Sequence, residues 1–238
     1  MMNENYVIEV KEVNRIFSVP GGEFQALTDI NVEIPEGNLA ILKGRSGSGK
    51  TTLMNIIGTL DRPTSGMVRI DGKAVGDMSD IERENLRRKD MGFVFQAVSL
   101  IPTMNAFQNV EFSMRLAGIK AGRNRDKRVE ECLKMVGLGN RMHHMPAEMS
   151  GGEQQRVAIA RAIAHRPKII LADEPTAELD SAMAAQVTRL FKEMSRKEQI
   201  TVLMTTHDVG LMDAGDMIIE LESGMQVHRE EEQVCRKQ

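Results

Sequence analysis

Hydrophobic and polar residues recur along the chain in patterns that predict a mixed α/β protein. Near the N-terminus, residues 6–10 and 27–34 alternate apolar with polar side chains, which is typical of half-buried antiparallel strands. Four later runs are almost wholly apolar and predict buried strands. These runs are residues 39–42, 91–95, 168–173 and 200–206. The run that ends at Asp173 is typical of a strand covered on both faces in a parallel sheet.

Helical patterns occupy much of the rest of the chain. Apolar residues recur at helical spacing between about residues 102 and 166, and an amphipathic helix is predicted over residues 180–197. Ser79 and Glu82 have the spacing of a capping box, which predicts that a short charged helix starts there. The pattern therefore indicates an α/β core with a helical insertion.

A glycine-rich loop directly follows the apolar run at residues 39–42 and ends in Gly-Lys-Thr, which is the P-loop pattern. Its backbone N–H groups can surround phosphate oxygens, Lys50 supplies a positive charge for the β and γ phosphates, and Thr51 can place its hydroxyl on Mg²⁺. A helix predicted from about Gly49 points its positive end at the same anion. A chance glycine turn is the alternative, against which the flanking strand and helix argue. The predicted nucleotide-binding residues of the loop are Gly44, Arg45, Ser46, Gly47, Ser48, Gly49, Lys50, Thr51 and Thr52.

Polar residues follow the carboxyl ends of predicted strands, at the edge where open α/β sheets bind ligands. They are Lys50, Gln96, Asp173 with Glu174, and His207. Asp173 ends its apolar run and is predicted to hold Mg²⁺ in concert with Thr51. Glu174 suits a carboxylate that orients or deprotonates an attacking water. A helix-capping aspartate and a surface glutamate are the structural alternatives.

A second candidate phosphate site lies at Met149-Ser150-Gly151-Gly152-Glu153. Ser150 and Glu153 have capping-box spacing, so part of this motif starts a helix. The two glycines each lower helix propensity by about 1 kcal/mol relative to alanine, which capping does not explain. Close approach of an anion to the backbone at a helix N-terminus would explain them.

Composition disfavours several other classes of protein. The 238 residues carry a formal net charge of −3, which provides no overall basic surface, so no nucleic-acid partner is expected. The N-terminal residues lack the basic and apolar regions of a signal peptide, and no apolar run approaches the length of a membrane span. We therefore expect a cytoplasmic protein that is not itself embedded in a membrane. Cys132 and Cys235 are too few and too far apart for a disulfide framework or a zinc site.

Taken together, the motifs resemble those of the nucleotide-binding subunit of an ABC transporter, in family order and over essentially the whole chain. In the terms of that family, Walker A is residues 44–51, the Q-loop glutamine is Gln96, the signature is residues 149–162, Walker B is residues 169–173 followed by Glu174, the D-loop is residues 177–180, and the switch histidine is His207. The resemblance implies ATP hydrolysis with ATP and Mg²⁺ as cofactors. The implied catalytic residues are Lys50, Gln96, Glu174 and His207. The implied metal-binding residues are Thr51, Gln96 and Asp173.

Three positions depart from the commonest family pattern. Phe17 stands where an adenine-stacking tyrosine is usual, which retains the aromatic face and loses the hydroxyl. Glu153 replaces the signature glutamine and brings a negative charge near the implied phosphate site, although its capping role would turn it away. Ala177 replaces a frequent glycine or serine. The resemblance adds to the nucleotide-binding residues Phe17, Ser150, Gly151, Gly152 and Glu153.

The resemblance implies an α/β fold of the P-loop NTPase (RecA-like) type, with a mostly parallel core, an N-terminal antiparallel β subdomain and an inserted α-helical subdomain. Residues 1–238 would form a single ABC ATPase domain. The expected parts are a β subdomain at about residues 1–36 and 66–75, a nucleotide core at about residues 37–65, 76–96 and 167–228, a helical subdomain at about residues 97–166, and a charged tail at residues 229–238. We expect that tail to be mobile.

By the same resemblance, two copies pair head to tail, and each ATP lies between Walker A of one copy and Ser150-Gly151-Gly152 of the other.

Residues 60–66, 92–96 and 171–176 look like those of the lipoprotein-release, macrolide-export and bacitracin-resistance group, whose ATPases drive FtsX-like permeases. The implied work is export, extraction or mechanotransmission, on a lipoprotein, antimicrobial peptide or macrolide type of substrate. The chain would lie on the cytoplasmic face of the cell membrane, held there only through the permease. Two alternatives are regulation of cell-envelope hydrolysis through a permease without transport, and a soluble ABC ATPase acting on nucleic acid or ribosomes.

Overall fold

The structure is a computed structural model that describes residues 6–206 and 208–227. Its strands are β1 (Tyr6–Val19), β2 (Gly22–Pro35), β3 (Leu39–Lys43), β4 (Ser65–Ile70), β5 (Lys73–Ala74), β6 (Met91–Val94), β7 (Ile169–Ala172), β8 (Thr201–Thr205), β9 (Met217–Glu222) and β10 (Met225–Gln226). Its helices are α1 (Lys50–Ile57), α2 (Asp80–Asp90), α3 (Ala106–Leu116), α4 (Arg123–Met135), α5 (Gly151–Ile163), α6 (Ser181–Glu198) and α7 (Val209–Met212). His207, Cys235 and the predicted tail at residues 229–238 lie outside the described residues.

An antiparallel sheet forms the N-terminal part of the fold, with strand order β2-β1-β4-β5. The alternating apolar residues of β1 lie in its core, where Ile8 pairs with Ile34 on β2 and with Ile70 on β4. Both β1 and β2 extend beyond the predicted segments to a turn near residue 20. Their pairing is irregular around Glu12 and Asp29, which both have φ of 51°. This irregularity interrupts the alternation of side chains, so the pattern predicts only part of each strand.

A six-stranded sheet with the order β10-β9-β3-β8-β7-β6 forms the centre of the molecule. Neighbouring strands from β9 to β6 are parallel, and β10 pairs antiparallel with β9. The mostly parallel core predicted from the sequence is therefore confirmed. Because parallel strands end at the same edge, the residues that follow β3, β6, β7 and β8 all come to one side of the sheet.

Both faces of the central sheet are buried. On β3, Leu39 and Ile41 belong to one apolar core together with residues of α3, α4, α5 and α6. Ala40 and Leu42, which point to the opposite face, belong to a second core with α1 and the antiparallel sheet. Burial on both faces is why the central strands have continuous apolar sequences rather than alternating ones.

The helices pack through apolar stripes, as their sequence periodicity predicts. Val187 and Phe191 of α6 are buried against the central sheet, and α4 contributes the buried Cys132. Burial raises the pKa of the Cys132 thiol to about 11, so this thiol stays protonated and acts as a small apolar group. Over residues 6–206 and 208–227, no helix combines the length and the apolar character needed to cross a bilayer.

The predicted capping box opens α2. Glu82 Oε2 accepts hydrogen bonds from the hydroxyl of Ser79 at 2.7 Å and from the Ser79 backbone N–H at 2.8 Å. In return, the backbone N–H of Glu82 donates to Ser79 Oγ at 3.3 Å. The hydroxyl and the backbone N–H of Ser79 together lower the pKa of the Glu82 carboxyl. These bonds satisfy donors that the first helical turn would otherwise leave unpaired.

His165, just after α5, ties that helix to the central sheet. Its Nε2 lies 3.0 Å from the carbonyl oxygen of Met91, the first residue of β6. Burial lowers the pKa of His165 below its usual value, and the bond to Met91 opposes this shift only in part. Nδ1 of His165 is buried and has no hydrogen-bond partner among the described residues. The fold therefore favours the neutral imidazole.

Stability should consequently fall as His165 takes up a proton. Its folded pKa lies below the value of 6.5 expected for the unfolded chain, so the stabilisation is present above that value and is lost as the pH falls. In His165→Gln, which retains an N–H donor but does not titrate, the midpoint of thermal unfolding should change less between about pH 7.5 and about pH 5.5 than in the wild type. Equal pH dependence in the two proteins would contradict this assignment.

Candidate functional site

The glycine loop connects β3 to α1, and residues 50–52 form the first turn of that helix. At the N-cap of α1, Gly49 has φ of 98°, and a Cβ atom there would lie 2.9 Å from the carbonyl oxygen of Ala26. At the other end of the loop, a Cβ atom on Gly44 would lie 2.3 Å from the carbonyl oxygen of Leu221. Close backbone packing therefore requires glycine at both ends of the loop.

Lys50 is held inside the loop rather than extended into solvent. Its Nζ donates hydrogen bonds to the carbonyl oxygens of Gly44 at 2.8 Å and Arg45 at 3.0 Å, and the residue is 6% exposed. Ser48 Oγ is also buried and has no hydrogen-bond partner among the described residues. A fixed positive charge and an unpaired hydroxyl in one loop suit an anion that would pair with both.

Asp173, directly after β7, is hydrogen-bonded to the loop helix. Thr51 Oγ1 donates to Asp173 Oδ2 at 2.8 Å, so the two residues predicted to share a metal are adjacent. The other carboxylate oxygen, Oδ1, accepts a hydrogen bond from Thr205 Oγ1 at 2.8 Å. The backbone N–H of Asp173 donates to the carbonyl oxygen of Val94 at 2.8 Å, which ties this position to the end of β6.

Thr205 is a site residue that sequence reasoning missed. Its hydroxyl also accepts a hydrogen bond of 2.7 Å from the backbone N–H of Glu174, which has φ of 47°. In the sequence, Thr205 is only one member of an apolar strand. Its position in the sequence could have identified it, because a hydroxyl at the carboxyl end of β8 lies on the same edge of the sheet as Asp173.

Gln96 is exposed in the loop after β6, and among the described residues no hydrogen bond joins its side chain to the acids after β7. A second glutamine, Gln155, is buried and contacts the backbone after both β6 and β7. Gln155 Nε2 of α5 lies 3.5 Å from the carbonyl oxygen of Phe95 and 3.3 Å from that of Pro175. Gln155 thus links α5 to the loops that follow β6 and β7. The other predicted site residue, His207, lies outside the described residues.

Ser150 caps the N-terminus of α5, and Glu153 folds back onto the cap. Glu153 Oε2 accepts hydrogen bonds from the backbone N–H of Ser150 at 2.9 Å and from its hydroxyl at 3.1 Å. The backbone bond is the main cause that lowers the pKa of Glu153, and the nearby Arg141, whose Nε lies 3.4 Å from Oε1, acts in the same direction. The negative charge of Glu153 is therefore used in capping and partly balanced by Arg141.

The two glycines of this motif have different surroundings. A Cβ atom on Gly152 would lie 3.0 Å from the carbonyl oxygen of Glu178, so close packing against the D-loop accounts for this glycine. At Gly151 the nearest atom to such a Cβ would be Glu178 Oε2, at 3.8 Å, which is ordinary contact. Packing therefore accounts for Gly152, whereas Gly151 has open space that would admit an anion at the helix N-terminus.

Phe17 lies on β1 beside a fixed cation. The guanidinium carbon of Arg15 is 4.1 Å from the centroid of the Phe17 ring. Asp61 holds this guanidinium through two hydrogen bonds, of 2.8 Å and 2.9 Å. The ion pair fixes Arg15 over the ring, and the cation–π contact in turn fixes the ring.

The two candidate phosphate sites are separate within one chain. Among the described residues, no hydrogen bond joins the loop at residues 44–51 to residues 150–153. The loop lies at the carboxyl edge of the central sheet, whereas residues 150–153 begin a helix that packs on α3 and α4. The two segments therefore lie on different elements of the fold and are not joined directly within one chain.

The chain is similar to ATP-binding proteins of known families. The ABC transporter family model matches residues 27–177. The uncharacterised ABC transporter ATP-binding protein MJ0796 of Methanocaldococcus jannaschii is 44% identical over 228 residues, which cover 94% of this chain and 97% of that protein. The macrolide export ATP-binding/permease protein MacB of Wolinella succinogenes is 42% identical over 225 residues, which cover 94% of this chain and 35% of MacB.

Solved structures give the same result. The dimeric, post-hydrolysis structure of the MJ0796 cassette bound to ADP and Pi matches with a TM-score of 0.89 at 42% identity, covering 94% of this chain and 97% of that one. The structure of cbiO1 from Clostridium perfringens, part of the transporter complex cbiONQ, matches with a TM-score of 0.81 at 30% identity, covering 94% of this chain and 88% of that one. These matches confirm the predicted P-loop NTPase fold.

The geometry of the glycine loop predicts that Gly44 and Gly47 tolerate substitution by alanine differently. In Gly44→Ala the new Cβ would clash with backbone, which we expect to lower the free energy of unfolding by roughly 3 kcal/mol and to weaken ATP binding. Gly47→Ala is the matched control, because nothing lies within 4 Å of its Cβ position and only its φ of 78° opposes the change, at about 1 kcal/mol. The midpoint of thermal unfolding would compare the stability of the two variants. Equal losses in both variants would contradict the packing argument.

Proposed function

The chain belongs to the ABC transporter family and is an ATP-binding, ATP-hydrolysing cassette, and we propose that it powers an FtsX-like membrane permease from the cytoplasmic face of the membrane. The observation that carries the site assignment is the 2.8 Å hydrogen bond between Thr51 and Asp173. It joins the P-loop helix to the acid at the end of β7, which is the arrangement that a nucleotide and its metal require.

Thr51 and Asp173 are the residues that we propose hold Mg²⁺. Their hydroxyl and carboxylate oxygens are the hard ligands that Mg²⁺ prefers. In the part of the chain that the structure describes, no group of three or more His, Cys, Asp or Glu side chains could hold a metal alone, which suits an ion whose other ligands are phosphates and water. When bound, Mg²⁺ neutralises negative charge on the β and γ phosphates. Gln96 is not joined to this pair, so its role at the metal stays a prediction.

Lys50 and Glu174 are proposed to act on the γ phosphate and on the attacking water, respectively. The Lys50 ammonium is already fixed inside the loop, so it can stabilise phosphate charge with little reorganisation. Glu174 lines a cavity of about 210 Å³ together with Thr206 and Asp208, which has room for water. We propose that its carboxylate orients that water and accepts its proton. His207 is proposed by resemblance to assist there.

A second copy of the chain is proposed to complete the site. The solved MJ0796 cassette is dimeric with ADP and Pi bound. Among the described residues of this chain, no hydrogen bond joins the loop at residues 44–51 to the segment at residues 150–152, and Gly151 has the open surroundings that a phosphate would need. We therefore propose that ATP lies between the P-loop of one copy and the Ser150-Gly151-Gly152 segment of the other. Phe17, whose ring contacts the guanidinium of Arg15, is proposed to stack on the adenine ring.

The nature of the permease is proposed from resemblance. The motifs at residues 60–66, 92–96 and 171–176 look like those of the lipoprotein-release, macrolide-export and bacitracin-resistance group. The relative MacB carries the name of a macrolide export ATP-binding/permease protein, which supports a permease partner of this type. We propose that the work is export, extraction or mechanotransmission, with a lipoprotein, an antimicrobial peptide or a macrolide as the class of substrate.

The proposed role of Glu174 can be tested by removing its charge. Glu174→Gln should bind ATP within about twofold of the wild type, lose roughly a hundredfold or more in kcat, and accumulate as an ATP-bound dimer. ATPase assays, ATP titration and analytical ultracentrifugation would measure the three effects. Glu198→Gln, which changes an exposed glutamate at the end of α6, is the matched control and should behave as the wild type. Wild-type turnover in Glu174→Gln would refute the assignment.

A further inference from the structure

One buried hydroxyl contacts both acidic residues that follow β7. Thr205 Oγ1 lies 2.7 Å from the backbone nitrogen of Glu174 and 2.8 Å from Oδ1 of Asp173. Thr205 is 0% exposed. The register of the parallel strands explains the contact, because Ala172 pairs with Met204 and the next residue of each strand therefore lies beside the other.

The chemistry of the partners fixes the direction of these bonds. A backbone N–H can only donate, so Glu174 donates to Thr205 Oγ1, and the single hydroxyl hydrogen is left for Asp173 Oδ1. With Oδ1 engaged, Oδ2 is the oxygen that accepts the hydrogen bond from Thr51 at 2.8 Å. The two oxygens of one carboxylate thus have separate partners, and the rotation of the carboxylate is fixed.

The same hydroxyl supports an unusual backbone conformation. Glu174 has φ of 47°, in the left-handed region that non-glycine residues seldom adopt. Such a conformation persists only where surrounding contacts maintain it. The hydrogen bond from the Glu174 N–H to Thr205 is one of these contacts, and it holds Glu174 at the point where the chain leaves β7.

We infer that Thr205 is a positioning residue of the ATPase site. Its hydroxyl sets which oxygen of Asp173 faces Thr51 and the proposed Mg²⁺ position, and it holds the backbone of Glu174 in the conformation from which the carboxylate acts on water. This inference rests on the roles proposed above for Asp173 and Glu174. The competing explanation is that Thr205 only satisfies a buried backbone N–H, which would affect stability alone.

Three variants separate the two explanations. Thr205→Val keeps the shape of the side chain and removes the hydroxyl, whereas Thr205→Ser keeps the hydroxyl and removes the methyl group. Thr201→Val is the matched control at the other end of β8. Thr201 is also 0% exposed, and its Oγ1 accepts a hydrogen bond of 3.0 Å from the backbone N–H of Gly37. Each variant loses or retains one buried hydroxyl on the same strand, and only Thr205 adjoins the acids.

The measurements are kcat and KM for ATP, ATP binding in EDTA, Mn²⁺ binding to the nucleotide complex by electron paramagnetic resonance, and the midpoint of thermal unfolding. In Thr205→Val we expect kcat and the affinity for Mn²⁺ each to fall about tenfold, because groups that orient a metal ligand typically have effects of this size. Binding of ATP in EDTA should change by less than about twofold, since the P-loop contacts are intact. Thr205→Ser should recover both lost properties to within about threefold.

Thr201→Val should lower the midpoint of thermal unfolding as Thr205→Val does, and should leave kcat and Mn²⁺ affinity at the wild-type values. The inference is overturned if Thr205→Val matches Thr201→Val in all measurements, or if Thr205→Ser is as impaired as Thr205→Val.

Glu174→Gln distinguishes this failure from a failure of the proposed function. If Glu174→Gln stalls hydrolysis while Thr205→Val is normal, only the role of Thr205 is wrong; if Glu174→Gln turns over normally, the proposed site itself is wrong.

Discussion

The carboxylate of Asp173 is the group on which the arrangement of the site depends. It accepts hydrogen bonds from Thr51 on α1 and Thr205 at the end of β8, while its backbone N–H donates to Val94 at the end of β6. One residue therefore joins the P-loop helix to three neighbouring strands. Asp173 is partly buried, and its hydrogen bonds fix the carboxylate and its neighbours at the same time. The relative positions of the loop, the acid and Glu174 follow from this network.

The network forms where it does because the rest of the central sheet is apolar on both faces. Residues of β3 alternate between two cores, one with the helical insertion and one with α1 and the antiparallel sheet. Both faces are covered mainly by apolar side chains, and the edge at the carboxyl ends of the strands is where backbone and side chains become available to a ligand. The fold thus concentrates its chemistry at one edge. The signature segment, which begins α5, lies on the insertion and not on that edge.

The sequence predicts the elements and the P-loop well because both depend on local pattern. Continuous apolar runs mark the central strands, and the spacing of Ser79 and Glu82 marks the start of α2. Contacts between segments that are distant in the sequence cannot be predicted from local pattern. Neither the link from Thr205 to Asp173 nor the packing of Gly152 on the D-loop can be found from sequence spacing, because each depends on which strands and loops become neighbours. The cation held over Phe17 by Asp61 was missed for the same reason.

We propose that each ATP site is shared between two copies of the chain, and a mixing experiment can separate this arrangement from a site within one copy. Lys50→Ala disables the P-loop, and Gly151→Asp places a negative charge at the open position of the signature, so each variant alone should be inactive. In an equal mixture, half of the dimers would be mixed, and each would carry one doubly damaged site and one intact site. ATPase activity should therefore recover to about a quarter of the wild-type rate. A mixture that stays inactive would show that the two segments act within the same chain, and would contradict the shared site.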